Sequence, residues 1–198
     1  MTVAGWMQLA VFVAILTAIT PPLGAYLVRV FAGEPVLLTR VLGPLERGSL
    51  RLFGAGDAPQ DWKAYARSVL VFSAVCLVGA YAVLRTQAIH PWDHGIEASL
   101  PWDVAFNTAA SFVSNTSWQF YAGETSLTTF SQMASIALHS WLSAAVGLAT
   151  GIAVIRGFAR TGGAGLGNFW VDLVRGLLYV LLPLGTVGAL LMMARRCS

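Results

Sequence analysis

The sequence predicts an all-α membrane protein with about four transmembrane helices and one shorter re-entrant pore helix and loop. Three observations carry that reading. Hydrophobic residues make up 57% of the chain and charged residues 11%, against about 25% charged in a soluble domain. Four uncharged stretches, within residues 3–28, 68–84, 128–155 and 176–194, approach the roughly 20 helical residues that cross about 30 Å of hydrocarbon. Between the second and third lies residues 101–124, too short and too polar to cross yet flanked by segments that can. Exposed amides in lipid cost several kcal/mol each, so irregular backbone persists at that depth only where it is buried in protein or lines a water-filled path.

Residues 1–28 form the leading span. It has no basic start and no small-residue cleavage site, so it is expected to be retained rather than removed as a signal peptide. Pro21-Pro22-Leu-Gly24 is expected to end or kink it. Residues 29–67 form a cytoplasmic or interfacial loop, in which Leu37, Leu38, Val41, Leu42 and Leu45 alternate with Arg40, Glu46 and Arg47. The pattern suits an amphipathic segment on the membrane surface, interrupted at Gly43-Pro44; a contact surface for a partner subunit fits equally well. Residues 68–155 form a helix, pore loop (101–124) and helix, residues 156–175 a second basic loop, and residues 176–198 a last helix.

Charge sorts these loops by side. Of the 12 basic residues, Arg29, Arg40, Arg47, Arg51, Lys63 and Arg67 lie in the first basic loop and Arg156, Arg160 and Arg175 in the second. Residues 90–128 contain none. The positive-inside bias puts the basic loops in the cytoplasm and the N-terminus and pore loop outside. Arg85 can snorkel from the outer end of the second span; Arg195 and Arg196 run against the pattern. The basic residues form no patch with interleaved aromatics, so nucleic acid is not an expected partner. The lipid bilayer is.

In the pore loop, Ser99 or Asp103 can cap a helix that takes Pro101 into its first turn and runs to about Val113, roughly 20 Å at 1.5 Å per residue. Its C-terminus points inward, so its carbonyls and the negative end of its dipole favour a cation over an anion. Six residues from Ser114 to Gln119, at about 3.3 Å each, can climb back over a similar distance. Ser114, Asn115, Thr116 and Ser117 offer uncharged oxygens, as do the carbonyl rings that replace the hydration shell in potassium channels. Trp118 could wedge the strand, and Gln119 could offer an amide oxygen above it. An ordinary polar external loop is the alternative.

Other candidates are weaker. His90, Asp93 and His94 could ligate a metal, but Pro91 and Trp92 disfavour a helical pair there, and an interfacial loop with Trp92 at the membrane surface competes. His139 lies within the third span, either as a functional group or as a neutral histidine packed between helices. Gly147 and Gly151 permit close helix packing. The Gly162–Gly167 run lacks the strand and the Lys-Ser/Thr of a phosphate loop and reads as a connector. No segment is equipped for ATP hydrolysis, and no organic cofactor is expected. Cys76 and Cys197 form no disulfide framework, and Cys76 reads as a small buried apolar residue.

Asn107-Thr-Ala-Ala-Ser-Phe-Val-Ser-Asn-Thr-Ser-Trp-Gln-Phe-Tyr-Ala-Gly-Glu124 with Ser131-Gln-Met133 closely resembles the first pore loop of the potassium-binding A subunits of Kdp-type potassium-transporting ATPases. That family carries Asn-Thr-Ala-x-Ser-Phe-Val, then Thr-Asn-Thr-Asn-Trp-Gln, then Ser-Gly-Glu. Pro22-Leu-Gly24, Trp62-Lys63 with Tyr65, Ser143-Ala-Ala, Leu166-Gly-Asn and Trp170-Val-Asp-Leu173 are similar to further family landmarks, in order. The resemblance implies a potassium-channel-like pseudo-fourfold fold, with a leading helix and four helix–pore loop–helix repeats. It implies selection of external K+ and its delivery through an intramembrane tunnel to a P-type ATPase catalytic subunit, with small accessory membrane subunits, in the bacterial inner membrane. K+ is the transported ion, and the chain itself is not catalytic. Asn115 and Thr116 match the family filter and Gln119 its outer mouth, while Ser114 and Ser117 stand where the family has Thr and Asn.

By the same resemblance residues 176–198 open a second, incomplete repeat, and Arg195-Arg-Cys-Ser198 differs from the family's continuation. A shortened product that does not transport alone is expected, with a split gene as an alternative cause. Competing readings are a non-transporting membrane scaffold and a metal enzyme using His90, His94 and His139.

Overall fold

A computed structural model describes residues 2–56, 58–92, 95–96, 98–159 and 165–196. Its described residues form helices and turns, with no strand among them. The chain divides into two compact units, Met1–Leu45 and Glu46–Ser198. Four helices are long and apolar enough to cross a membrane, so the all-α membrane class holds.

In the first unit, helix α1 spans Val3–Ala32. Thr2 caps it, its Oγ1 accepting the Gly5 N–H at 3.3 Å. Pro21 and Pro22 lie inside the helix and do not end it, so of the expected end or kink the first is ruled out. They remove the N–H donors for the Thr17 and Ala18 carbonyls. A loop in the same apolar surroundings would forfeit more backbone bonds than those two. Trp6, Met7, Phe12 and Leu16 are exposed along it, a surface suited to lipid.

Helix α2 runs Thr39–Leu52 and carries Pro44 without the expected interruption at Gly43-Pro44. The proline costs a single helical bond, to the Arg40 carbonyl.

Four longer helices build the described part of the second unit: α3 (Trp62–Arg85), α4 (Trp102–Val113), α5 (Thr129–Ala159) and α6 (Phe169–Arg195). Helix α3 starts six residues before residue 68, because the Asp61 carboxylate caps the Ala64 N–H at 2.7 Å and draws Lys63 and Arg67 into the helix. Helix α6 likewise starts early, at Phe169, capped by Asn168, whose Oδ1 accepts the Trp170 N–H at 3.1 Å.

Two buried clusters sit at opposite ends of this unit. At the basic-loop end, Ala145, Ala149 and Ala153 of α5 close on Tyr65, Phe169 and Leu173. Their four-residue spacing makes a ridge of small side chains that lets the helices approach. The Gly147 and Gly151 face does not do this: a Cβ at either position meets nothing within 4 Å. Two residues along an α-helix is about 200° of rotation, so the glycines point away from the alanine ridge. Where a glycine is required is Gly185, since a Cβ there would collide with the Trp141 ring.

A buried polar clasp joins the same end. Arg156 reaches Asp172 through Nη1–Oδ2 at 2.6 Å and Nη2–Oδ1 at 3.0 Å. The Tyr65 hydroxyl lies 3.1 Å from Asp172 Oδ2 and 2.8 Å from the Ala149 carbonyl oxygen. Gly167, at φ 99°, leaves the guanidinium room, since a Cβ would overlap it. Gln60 pairs with the chain after α5, donating to the Gly167 carbonyl at 2.7 Å and accepting from Leu166 at 2.9 Å. The start of α3 and the end of α5 therefore share one end of the bundle.

Two π-helical turns interrupt α5 at Gln132–Ala137 and α6 at Gly176–Leu181, where the sequence led us to expect plain α-helix. The second precedes Pro183, which cannot donate to the Tyr179 carbonyl.

Candidate functional site

At the opposite end of the second unit the pore loop is anchored before it turns inward. Arg85 Nη1 donates to the Leu100 carbonyl. Gln87, fully buried, donates through Nε2 to the Ala98 and Ser126 carbonyls at 2.8 and 2.9 Å. Helix α4 begins at Trp102 with Pro101 at the cap position, and no side chain caps it; Ser99 makes no cap, and Asp103 sits in the first turn. Ala105, Thr108, Ala109 and Phe112 are buried at helical spacing. Ala105 and Ala109 pack with Ala80, Leu84, Leu100 and Leu127.

Helix α4 stops beside the middle of α3. Its last residue, Val113, lines a small cavity with Phe72, Ser73 and Cys76 of α3 and His139 and Ser143 of α5. Phe72 to Cys76 lie near the middle of α3, whereas Arg85 beside the start of α4 is its end. The 12-residue helix is about 18 Å long at 1.5 Å per residue, enough to enter a bilayer and too short to cross it.

The return leg differs from the extended strand that the sequence led us to expect. Asn115 and Ser117 have φ of 62° and 53°, in the left-handed region, with Ser114 at −84°. The Thr116 and Ser117 N–H groups both donate to the Ser111 carbonyl, at 3.0 and 3.2 Å. The Trp118 N–H donates to Ser111 Oγ at 2.7 Å. The leg therefore curls round the helix end instead of climbing away from it. Asn115 occupies the left-handed position that ends many helices, and the Thr116 bond back to Ser111 is the closing bond of that motif.

This backbone has a chemical consequence. A trans peptide holds its N–H and C=O antiparallel. With the N–H groups of residues 116, 117 and 118 aimed at Ser111, the carbonyls of Asn115, Thr116 and Ser117 aim the other way. None of these carbonyls accepts a hydrogen bond among the described residues, and residues 114–117 are exposed. The side-chain oxygens of Ser114, Asn115 and Thr116, by contrast, are engaged. The Ser143 hydroxyl donates to Asn115 Oδ1 at 3.2 Å, and the Ser114 and Thr116 hydroxyls lie 3.1 Å apart. The free oxygens are the three main-chain ones and the Ser117 hydroxyl, near the negative end of the α4 dipole.

Gln119 is half-buried, and its Oε1 has no hydrogen-bond partner among the described residues. Trp118 does not wedge the leg: its ring is exposed and lies 6.0 Å from that of Phe120. The Tyr121 hydroxyl lies 2.9 Å from Thr108 Oγ1. Burial pushes the Tyr121 phenol above its ordinary range, against a smaller opposing effect of the Thr108 bond, so it stays protonated at neutral pH. Ser111, Ser143, Thr108 and Tyr121 thus hold the loop, and the sequence reading gave none of them that role.

His139 is buried, and its Nδ1 donates to the Ser135 carbonyl at 2.7 Å. His90 bonds the Thr86 hydroxyl at 3.0 Å and meets Phe130 edge-on. Asp93 and His94, the other expected metal candidates, lie outside the described residues, as do Cys197 and the first half of the Gly162–Gly167 connector. Cys76 is half-buried and free.

Helices long and apolar enough to cross a membrane, with a shorter helix between two of them, define the class of polytopic membrane protein. The sequence profile of the family described as Potassium-transporting ATPase A subunit matches residues 10–196. The chain belongs to that family. Its relatives include a Potassium-transporting ATPase potassium-binding subunit of Methylorubrum extorquens, 50% identical over 192 residues, which are 96% of this chain and 34% of that protein. The Rhodospirillum centenum protein of the same description is 48% identical over 193 residues, 97% of this chain and 34% of its own. That of Geobacter metallireducens is 43% identical over 196 residues, 98% and 33%. The chain therefore spans about a third of the length of these relatives.

Proposed function

We propose that the Ser114–Ser117 leg, with Gln119 at its outer edge, forms part of a potassium-selective site. In this reading the chain binds external K+ as part of an ATP-driven uptake system. It does so in the bacterial inner membrane with its N-terminus outside, and a P-type ATPase subunit hydrolyses ATP beside small accessory membrane subunits. The observation that carries the reading is the row of unbonded carbonyls at Asn115, Thr116 and Ser117, facing away from Ser111 at the C-terminal end of a half-membrane helix. Uncharged carbonyl oxygens replace the hydration shell of K+, and a carbonyl-bearing helix end favours a cation. One leg faces an ion from one side, so the remaining ligands come from further polypeptide in a pseudo-fourfold ring of such loops. Residues 176–196 then open the next repeat. The names of the relatives, potassium-binding subunits of a potassium-transporting ATPase, supply the cargo and the complex.

The test is a chimera in which residues 1–196 replace the matching third of the Methylorubrum extorquens relative. The chimera is expected to support K+ uptake in a host lacking its own system. Deleting Thr116, which breaks the alternation of the leg, is expected to weaken apparent K+ affinity at least tenfold. Unchanged affinity and unchanged K+ over Na+ preference in the deletion variant would remove the leg from the ion path.

A further inference from the structure

We propose that Ser111 is the positioning residue of the return leg, the group that fixes which side of the leg is presented to an ion. The inference rests on the potassium reading of that leg, and it concerns a residue one turn before the leg begins.

A backbone that alternates negative and positive φ, as here at Ser114–Ser117, has two unlike sides. One side gathers N–H groups into a concavity that attracts anions; the other carries the carbonyls. Left open, such a leg would offer either side. Here the N–H side is filled from within. The Ser111 carbonyl takes the Thr116 and Ser117 N–H groups at 3.0 and 3.2 Å, and the Ser114 hydroxyl donates to the same oxygen at 3.2 Å. Ser111 Oγ takes the Trp118 N–H at 2.7 Å.

The carbonyl part of this arrangement is available to any residue, since it belongs to the main chain. The hydroxyl part is not. Trp118 closes the row, and its N–H has Ser111 Oγ as its partner. Residue 111 therefore needs a short side chain carrying an oxygen acceptor. Serine and threonine meet this, and alanine does not. Without the hydroxyl, the peptide between Ser117 and Trp118 is free to rotate. That peptide carries the Ser117 carbonyl, the outermost of the three that face away. Ser111 acts through the backbone and never touches the ion.

Backbone amide hydrogen exchange in the full 198-residue chain, reconstituted in lipid nanodiscs without added potassium, tests this. In the unaltered chain the Trp118 amide is expected to be protected to a degree similar to Thr116 and Ser117. In Ser111→Ala its exchange is expected to rise roughly two- to tenfold, the range of one lost hydrogen bond, with Thr116, Ser117 and the amides of residues 106–110 changing less. Ser111→Thr is expected to restore protection of Trp118. An unprotected Trp118 amide in the unaltered chain would overturn the proposal with no variant needed. So would a uniform acceleration through α4 and the leg in Ser111→Ala, which marks plain destabilisation, or a failure of threonine to rescue. The readout needs no cation, so it stands or falls separately from the chimera experiment on potassium selection.

Discussion

At the scale of single residues, the informative position is Ser117, held at φ 53° without a glycine's freedom. The left-handed region costs an ordinary residue roughly 1–2 kcal/mol, and asparagine visits it more readily than serine. Such a cost persists only where surrounding bonds impose the conformation, and the bonds to Ser111 do so here. Ser117→Asn is expected to raise the thermal midpoint of the reconstituted chain slightly. Ser117→Val, β-branched at positive φ, is expected to cost about 2 kcal/mol, read as a lower midpoint and faster exchange at Trp118. Equal midpoints for all three chains would mean that the left-handed turn at residue 117 is not populated in the membrane.

What the residues disclosed in advance was uneven. The oxygen-rich run at 114–117 was visible because uncharged oxygens in an apolar chain have few other uses. Its curled path was not, although Asn115 is a residue type that ends helices in the left-handed conformation. Ser111 was hidden for a different reason: its role lies in accepting backbone N–H groups five to seven residues on, and no side-chain pattern announces that. Gln119 was legible as a polar group near the loop, but not as a half-buried one.

At the scale of elements, the bundle is held at its two ends by different means, alanine packing with a buried ion pair at one and backbone anchoring at the other. The helices were legible where hydropathy alone decides them. Their ends were not, because Asp61 and Asn168 act as caps lying outside the apolar windows. The Gly147 and Gly151 pair drew attention by residue type, yet the alanine row two residues away does the packing, and only the helical phase of its partners separates the two.

The Arg156–Asp172 pair tests how the basic-loop end is held, since it links the last turns of α5 to the first turn of α6. Side chains of the pair are 15% and 2% exposed, so removing one partner strands a charge that water cannot reach. Asp172→Ala or Arg156→Ala is expected to destabilise the chain by about 3–5 kcal/mol. Arg156→Met with Asp172→Leu is expected to recover most of the loss, because an apolar pair of similar volume leaves no buried charge. Unfolding in denaturing detergent measures all three. A double variant no better than the single ones would mean that the bonds to Tyr65 and the Leu166 carbonyl, not charge compensation, hold that end.

At the scale of the whole molecule, membrane orientation decides whether the carbonyl leg meets the external solution. Within the second unit, the turn before α3 and the segment before α6 lie together, bonded through Gln60 and Asn168. The pore loop is anchored at the other end through Arg85 and Gln87. Lys63, Arg67, Arg156 and Arg175 belong to the first end, whereas Arg85, Arg195 and Arg196 belong to the second. Basic residues near span ends set orientation when counted over short loops, and the count favours the first end as cytoplasmic despite the closing arginine pair. Ala58 and Thr125 are exposed and mark the two ends. With Cys76 and Cys197 replaced by serine, Thr125→Cys is expected to react with a membrane-impermeant maleimide in intact spheroplasts. Ala58→Cys is expected to react only after lysis. The reverse pattern would place the leg on the cytoplasmic side and overturn its proposed role in taking up external potassium, while leaving its internal geometry untouched. Labelling of both positions before lysis would mean that the four apolar helices do not fix a single orientation, and the arginine pair at 195 and 196, opposing the other nine basic loop residues, would then be the first substitution to make.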